Sequence, residues 1–278
     1  MNELNNQFDP GEVITGFDEL PFWSAPFGLK LLEAVEYKPN ITALDIGFGA
    51  GFPLTELAMR LGNRSIVYGI DPWEELVERA RVKIGCYGIS NIRIIEGVAE
   101  SIPLPNHSVD LITSNNGINN VRDIDKVLSE CARILKPGGQ FLQTMNLEQS
   151  MFEFYGQMKH VLEKMGLHKE IEQMYEHIAH KRPAIEKIKA WLQKHGFIIK
   201  ELEYDQFNYR FTDGTAMLNH YFIRLAFMDS WKALLPMDKA DEVFNQIEQG
   251  LNEYARNYGG LKLSIPFALI NVTKGKND

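Results

Sequence analysis

Apolar positions along the chain change their spacing several times, and each change marks an element. Ile41 to Ile46 is a short apolar run that reads as a strand. Glycines follow at once, then a helical segment from Leu54 to Leu61. Ile66 to Ile70 reads as a second strand, followed by Pro72 and a helix through Leu76, Val77 and Ala80. Ile92 to Ile95 and Val109 to Thr113 read as the third and fourth strands, and Ile124 to Leu135 as a helix. Pro137-Gly138-Gly139 reads as a turn leading into a fifth strand, Phe141 to Met145. Strands separated by helix-length spacers predict a mainly parallel sheet with helices on both faces. Right-handed crossovers would gather the loops that follow the strands along one edge.

The carboxyl half holds a helical period for longer. Met151, Phe154, Tyr155, Met158, Val161, Leu162 and Met165 recur at helical spacing, and a second helical stretch runs from about Lys169 to His180. Pro183 can open a third, through Ile185, Ile188 and Trp191, ending near Gly196. Phe197 to Tyr204 reads as a strand. Two long helical segments, about Thr215 to Leu235 and Asp238 to Tyr258, precede a last strand near Pro266 to Val272. No repeat and no obvious linker sets these helices apart, so they read as insertions. The first forty residues are aromatic and irregular, with Phe8, Phe17, Phe22, Trp23 and Phe27 among several Pro and Gly residues. Pro21 can open a helix through Leu29, Leu32 and Val35 that stops near Pro39. A segment this aromatic is expected to pack on the body, as a lid or as cladding.

Composition then narrows the class. With 278 residues, 45% of them hydrophobic and 24% charged, the chain can bury a sizeable core, which excludes a disordered or low-complexity protein. Two cysteines, Cys86 and Cys131, cannot build a disulfide framework or a thiolate metal site, and they fit a reducing compartment. The start, MNELNNQFDPGE, lacks the basic-then-apolar pattern of an export signal, and no apolar run is long enough to cross a bilayer. A cytoplasmic protein without stable membrane insertion is expected. Acidic residues outnumber basic ones 37 to 29, a net charge of -8, which argues against broad nucleic-acid binding. The oligomeric state stays open between monomer and homodimer.

The sharpest chemistry lies in Leu44-Asp45-Ile46-Gly47-Phe48-Gly49-Ala50-Gly51, which leaves a strand and enters a helix. Glycines there let the turn adopt unusual dihedrals and let a ligand approach the backbone. A dinucleotide fingerprint wants GxGxxG, but Phe52 stands at the sixth position. Asp45, two residues before the first glycine, suits a ligand with a positive group better than a pyrophosphate. Asp71 ends the second strand, where an acid can accept both hydroxyls of a ribose. Its alternative role is to cap a helix that starts at Pro72. Trp73 follows and offers an apolar wall for an adenine.

Four stretches, ALDIGFGAG, VYGIDP, IIEGVAESIPLPNHSVDLITSNNGINNV and ILKPGGQF, occur in an order that resembles the class I S-adenosylmethionine-dependent methyltransferases. The likeness covers about Ile41 to Met145. Within the class it is most similar to the menaquinone and ubiquinone ring C-methyltransferases and related small-molecule enzymes. The resemblance implies an α/β fold, a Rossmann-like seven-stranded mostly parallel sheet with the last strand antiparallel. It implies S-adenosyl-L-methionine as cofactor. It assigns Asp45, Gly47, Gly49 and Gly51 to the methionine part, Asp71 to the ribose, and Val98 and Ala99 to the adenine; Pro72 and Trp73, next to Asp71, are further cofactor-site candidates. Many relatives carry an acid where this chain has Val98, so that contact to the adenine amino group is in doubt. Ser114 and Asn115 fall beside the methionine moiety. Glu100 serves the local structure.

Methyl transfer from a sulfonium is an in-line displacement with a neutral thioether as leaving group, so alignment and exclusion of water matter most. A base is needed only if the acceptor carries a proton. No catalytic residue can be assigned; His220 and Tyr209 are the candidates. The expected acceptor is a small or medium, partly apolar molecule. Phe17, Phe22, Trp23, Asn116, Met151, Tyr155 and Arg210 are candidates for its pocket. Residues 1–40 would be a lid or cladding on a domain spanning 41–278, with insertions at about 150–182 and 212–260 forming a substrate cap. His177 and His180 are three apart on one helix, but no further ligand motif supports a metal, and none is expected. An RNA or protein methyltransferase, an NAD-dependent oxidoreductase and a non-catalytic cofactor-binding protein are the rival readings.

Overall fold

The computed structural model describes residues 23–275. Phe8, Phe17, Pro21 and Phe22 lie outside the described residues. The chain divides into two compact units. Among the described residues, the first comprises 23–146, 183–205 and 267–275, and the second 147–182 and 206–266.

The first unit opens with α1 (Ala25–Glu33). Pro26 sits in the first turn of α1, and the helix ends before Val35. Proline is tolerated there because that amide would be unpaired anyway. There follow β1 (Thr42–Ile46), α2 (Leu54–Leu61), β2 (Ile66–Asp71), α3 (Glu74–Cys86), β3 (Ile92–Glu96) and β4 (Val109–Asn115). A single turn at Ile118–Asn120 leads to α4 (Ile124–Ile134) and β5 (Leu135–Asn146). α7 (Ile185–Lys194), β6 (Phe197–Phe211) and β7 (Leu261–Lys274) come later in the chain. The seven strands lie in the order β3-β2-β1-β4-β5-β7-β6. β1 pairs in parallel with β2 and β4, β2 with β3, and β4 with β5, whereas β5 meets β7 antiparallel. This is the Rossmann-like, mostly parallel sheet that the spacing predicts, with helices around it.

β1 sits between two parallel neighbours and is buried along nearly its whole length, which is why it reads as a continuous apolar run. Leu31 and Leu32 of α1, Leu54, Leu57 and Leu61 of α2, and Val77 and Ala80 of α3 pack with Ala43, Val67, Leu111, Leu142 and Leu269 of the sheet. α2 stops at Gly62, whose φ of 71° only a residue without a Cβ adopts cheaply; its amide bonds back to Ala58. Pro137-Gly138-Gly139 is not a turn before the fifth strand but a bulge inside it. Val109 pairs with Leu135 and Leu111 already with Gln140, so the extra residues loop out of one long ladder.

The second unit is mainly helical: α5 (Phe152–Lys164), α6 (His168–Lys181), α8 (Gly214–Asn219), α9 (Tyr221–Ile223), α10 (Asp229–Lys232) and α11 (Ala240–Tyr258). α11 packs on α5 and α8. At Gly250 of α11 the space a Cβ would take is filled by the amide end of Gln157 from α5. The predicted helix from Thr215 to Leu235 is broken. Asp213 caps α8 through Ala216 N, the backbone turns extended at His220, and a π-helical turn spans Arg224–Met228. Phe154, Trp231 and Phe227 form a stack, with Phe154 and Trp231 at 3.8 Å and Trp231 and Phe227 at 5.4 Å between centroids.

Candidate functional site

The loops that follow β1, β2 and β4 meet at one edge of the sheet. Gly47, Gly49 and Gly51 all have positive φ. At Gly47 the requirement is double: φ is 73°, and a Cβ would lie 2.6 Å from Gly117 Cα in the loop after β4. Gly49 donates its amide to Asp71 Oδ2 at 2.9 Å, which ties the end of β2 to the glycine loop. Ser114 Oγ donates to Ile46 O at 3.1 Å and accepts from Ile118 N at 3.1 Å, closing the third side.

Asp45 is fully buried in β1. Its register partner Thr113 donates Oγ1 to Oδ1 at 2.7 Å, while Oδ2 is buried with no partner. Burial, and secondarily the charge of Asp71, pushes the Asp45 carboxyl up to about 7, against the pull of the Thr113 bond. Asp71 is raised as well, by burial, against bonds from the amides of Trp73 and Gly49. The Trp73 amide reaches Oδ1 at 3.0 Å. Asp71 is not a helix cap: Trp73 holds that position and α3 begins at Glu74. Each Asp71 oxygen keeps further acceptor capacity. No Lys, Arg or His among the described residues pairs with either acid. Two buried carboxylates beside an amide-lined turn, one with an orphaned oxygen, fit a cationic ligand group.

Pro72 and Trp73 follow Asp71, and Trp73 is 39% exposed. After β3, Val98 is 48% exposed and Ala99 is buried. Glu100 accepts from the amides of Arg122 and Asp123, a local structural role. Asn115 uses its side chain internally: Nδ2 donates to Ser24 O at 3.1 Å, and Oδ1 accepts from Thr144 at 2.9 Å. Asn116 has a left-handed backbone, and its buried Nδ2 has no partner. Trp23 packs edge-on against Phe27 at 6.0 Å.

The remaining candidates lie in the second unit. Met151 is fully buried just before α5, and Tyr155 accepts from Trp231 Nε1 at 3.0 Å. Arg210 is exposed. Tyr209 OH and His220 Nε2 are 3.3 Å apart, and His220 Nδ1 is buried without a partner. Burial raises the Tyr209 phenol and lowers the His220 imidazole, so both are neutral near pH 7. Among the described residues no cluster of three or more His, Cys, Asp or Glu could hold a metal ion, and no helix is long and apolar enough to cross a membrane.

Sequence reasoning missed Thr113, Gly117 and the orphaned Asn146 Oδ1 at the end of β5. Thr113 faces Asp45 only through strand register, which a single sequence does not display.

The sheet order, the glycine loop and the acid at the end of β2 are similar to those of the class I S-adenosylmethionine-dependent methyltransferases, and residues 44–143 match the methyltransferase domain family. The chain is 27% identical over 172 residues to a demethylmenaquinone methyltransferase of Lactococcus lactis, covering 60% of this chain and 66% of that one. It is 28% identical to a ubiquinone/menaquinone biosynthesis C-methyltransferase of Shewanella frigidimarina, over 77% of this chain and 84% of the other. The crystal structure of the YcgJ protein of Bacillus subtilis shares the fold, with a TM-score of 0.59 at 21% identity, over 90% of this chain and 98% of that one. The chain spans 66%, 55% and 63% of the length of the first three demethylmenaquinone methyltransferases it matches.

Proposed function

We propose that the protein transfers the methyl group of S-adenosyl-L-methionine to a small or medium, partly apolar organic acceptor. The observation that carries this reading is the pair Asp45 and Asp71, two buried carboxylates without a cation at the glycine loop. When bound, the cofactor supplies a methyl group on a sulfonium. Asp45 Oδ2 is free to accept from its ammonium group, and Asn116 Nδ2 to donate to its carboxylate. Asp71 retains acceptor sites for two ribose hydroxyls. Trp73 and Val98 expose apolar surface suited to an adenine, with Pro72 and Ala99 beside them in the chain. Val98 brings no acid to the adenine amino group.

Residues 1–40 and the insertions at about 150–182 and 212–260 are proposed to select the acceptor. The names of the relatives put a quinol-type ring first among candidates. Should the acceptor carry a proton, the neutral imidazole of His220, with Tyr209 bonded to it, has the protonation state a base requires. The test is incubation with labelled S-adenosylmethionine and a panel led by demethylated naphthoquinols, with phenols and amines alongside. Methylated product and S-adenosylhomocysteine in equal amounts are expected. Bound cofactor with no turnover on any panel member would count against the reading.

A further inference from the structure

Arg182, at the end of α6, is only 5% exposed, yet it has no carboxylate partner among the described residues. Its Nη1 donates to Ser150 O at 3.0 Å, and its Cζ lies 5.5 Å from the centre of the Tyr155 ring. Those are its side-chain partners among the described residues. Neither supplies a negative charge. Ser150 precedes the start of α5, the positive end of that helix, so the helix dipole offers no compensation there. The C-terminal carbonyls of α6 provide only a fraction of one charge. Of its neighbours on α6, Lys181 adds positive charge and none is acidic between His177 and Lys181. Burial first, and the nearby Arg182 charge second, hold the His177 imidazole below its ordinary value.

A buried guanidinium without an anion is costly, and buried charges are otherwise paired. The fork has four N–H donors left after the Ser150 bond. The ring that the guanidinium overlies carries a further donor: Tyr155 OH accepts from Trp231 Nε1, and its own hydrogen finds no acceptor among the described residues. The Phe154–Trp231–Phe227 stack fixes Tyr155 from behind. A planar fork beside a phenol donor on an aromatic wall matches an oxyanion carried on an organic, apolar molecule.

We propose that Arg182 and Tyr155 form an oxyanion-binding subsite of the second unit, taking a carboxylate, phosphate or phenolate oxygen. If the methyltransferase reading holds, the subsite selects an acceptor bearing such a group. Binding of the oxyanion itself is measured without cofactor, so the two readings fail separately.

The experiment is calorimetric titration and thermal unfolding of the full chain with benzoate, inorganic phosphate and 4-nitrophenolate, with benzamide as the neutral isostere of benzoate. At least one oxyanion is expected to bind saturably, and the strongest of the three assigns the source. Benzamide is expected to bind at least tenfold more weakly than benzoate if the carboxylate is preferred. Arg182→Met should lose at least tenfold in affinity for the preferred probe, while its ligand-free melting temperature stays level or rises. Arg182→Lys and Tyr155→Phe should each lose threefold or more. No oxyanion binding below 50 mM, a lowered ligand-free melting temperature in Arg182→Met, or unchanged affinity in both Arg182→Lys and Tyr155→Phe would each overturn the subsite.

Discussion

Replacing Asp45 with Asn removes an ionisable oxygen from the middle of a buried strand while keeping its shape. The Thr113 hydroxyl still finds an acceptor, because the Asn carbonyl can occupy the place of Oδ1. Burial moves the Asp45 carboxyl from an ordinary 3.8 to about 7, so at pH 8 the folded protein holds an ionised group that its surroundings disfavour. Three pKa units correspond to about 4 kcal/mol. The Asn amide leaves its buried NH2 group unpaired, at about 1–3 kcal/mol. The net expectation is that Asp45→Asn is more stable than wild type at pH 8 by roughly 1–3 kcal/mol. The sign with pH follows from linkage: protonated Asp45 favours the fold, its contribution is complete below about 4, and it is lost as pH rises through about 7. The advantage of the variant should therefore grow from pH 5 to pH 8, by up to about 1.4 kcal/mol per pH unit. His177 and His220, both lowered by burial, act with the opposite sign just below 6.5. They are present in both proteins and cancel in the difference. Urea unfolding of wild type and variant at pH 5, 6, 7 and 8, with linear extrapolation, measures it. A difference that stays constant with pH, or a variant less stable than wild type at pH 8, would refute the account of Asp45.

Other substitutions test other links. Asp71→Ala removes the acceptor for the Gly49 and Trp73 amides, so about 1–3 kcal/mol of stability should be lost. S-adenosylhomocysteine affinity should fall about a hundredfold, from two hydrogen bonds to a charged group; an unchanged dissociation constant removes Asp71 from the ribose role. Gly47→Ala forces a side chain into positive φ and toward Gly117 Cα at 2.6 Å, and should cost about 2–4 kcal/mol in urea unfolding. Trp231→Ala empties the stack between Phe154 and Phe227 and leaves the Tyr155 oxygen without its donor, at about 3–5 kcal/mol. Hydrogen exchange should show that loss first in 147–182 and 206–266.

The parallel half of the sheet was legible because its strands are buried on both faces and its helices are amphipathic; Leu54–Leu61 is bounded in the structure as its spacing predicts. Where tertiary partners decide, local pattern fell short. Pro137-Gly138-Gly139 carries turn chemistry, yet pairing on either side draws it into β5 as a bulge. β6 and β7 extend well beyond the runs that mark them, to Phe211 and from Leu261, because the added lengths alternate apolar with polar positions, as at Leu261, Leu263 and Ile265, and make no continuous apolar run. The break at His220 follows from the Asp213 cap and an extended backbone at His220, which helical spacing alone conceals. In the site, the glycines and both acids were visible as a motif. The orphaned Asp45 Oδ2, the Thr113 bond and the lack of a carboxylate at Arg182 among the described residues were not, because each depends on which distant groups the folded chain brings nearby.

The most direct test of the central claim is calorimetric titration of the full chain with S-adenosylhomocysteine and S-adenosylmethionine at pH 6, in two buffers of different ionisation enthalpy. Saturable binding with one ligand per chain is predicted, with release of close to one proton as Asp45 ionises against the ligand ammonium, and with loss of both the proton and at least tenfold in affinity in Asp45→Asn. No saturable binding of either ligand would contradict the claim.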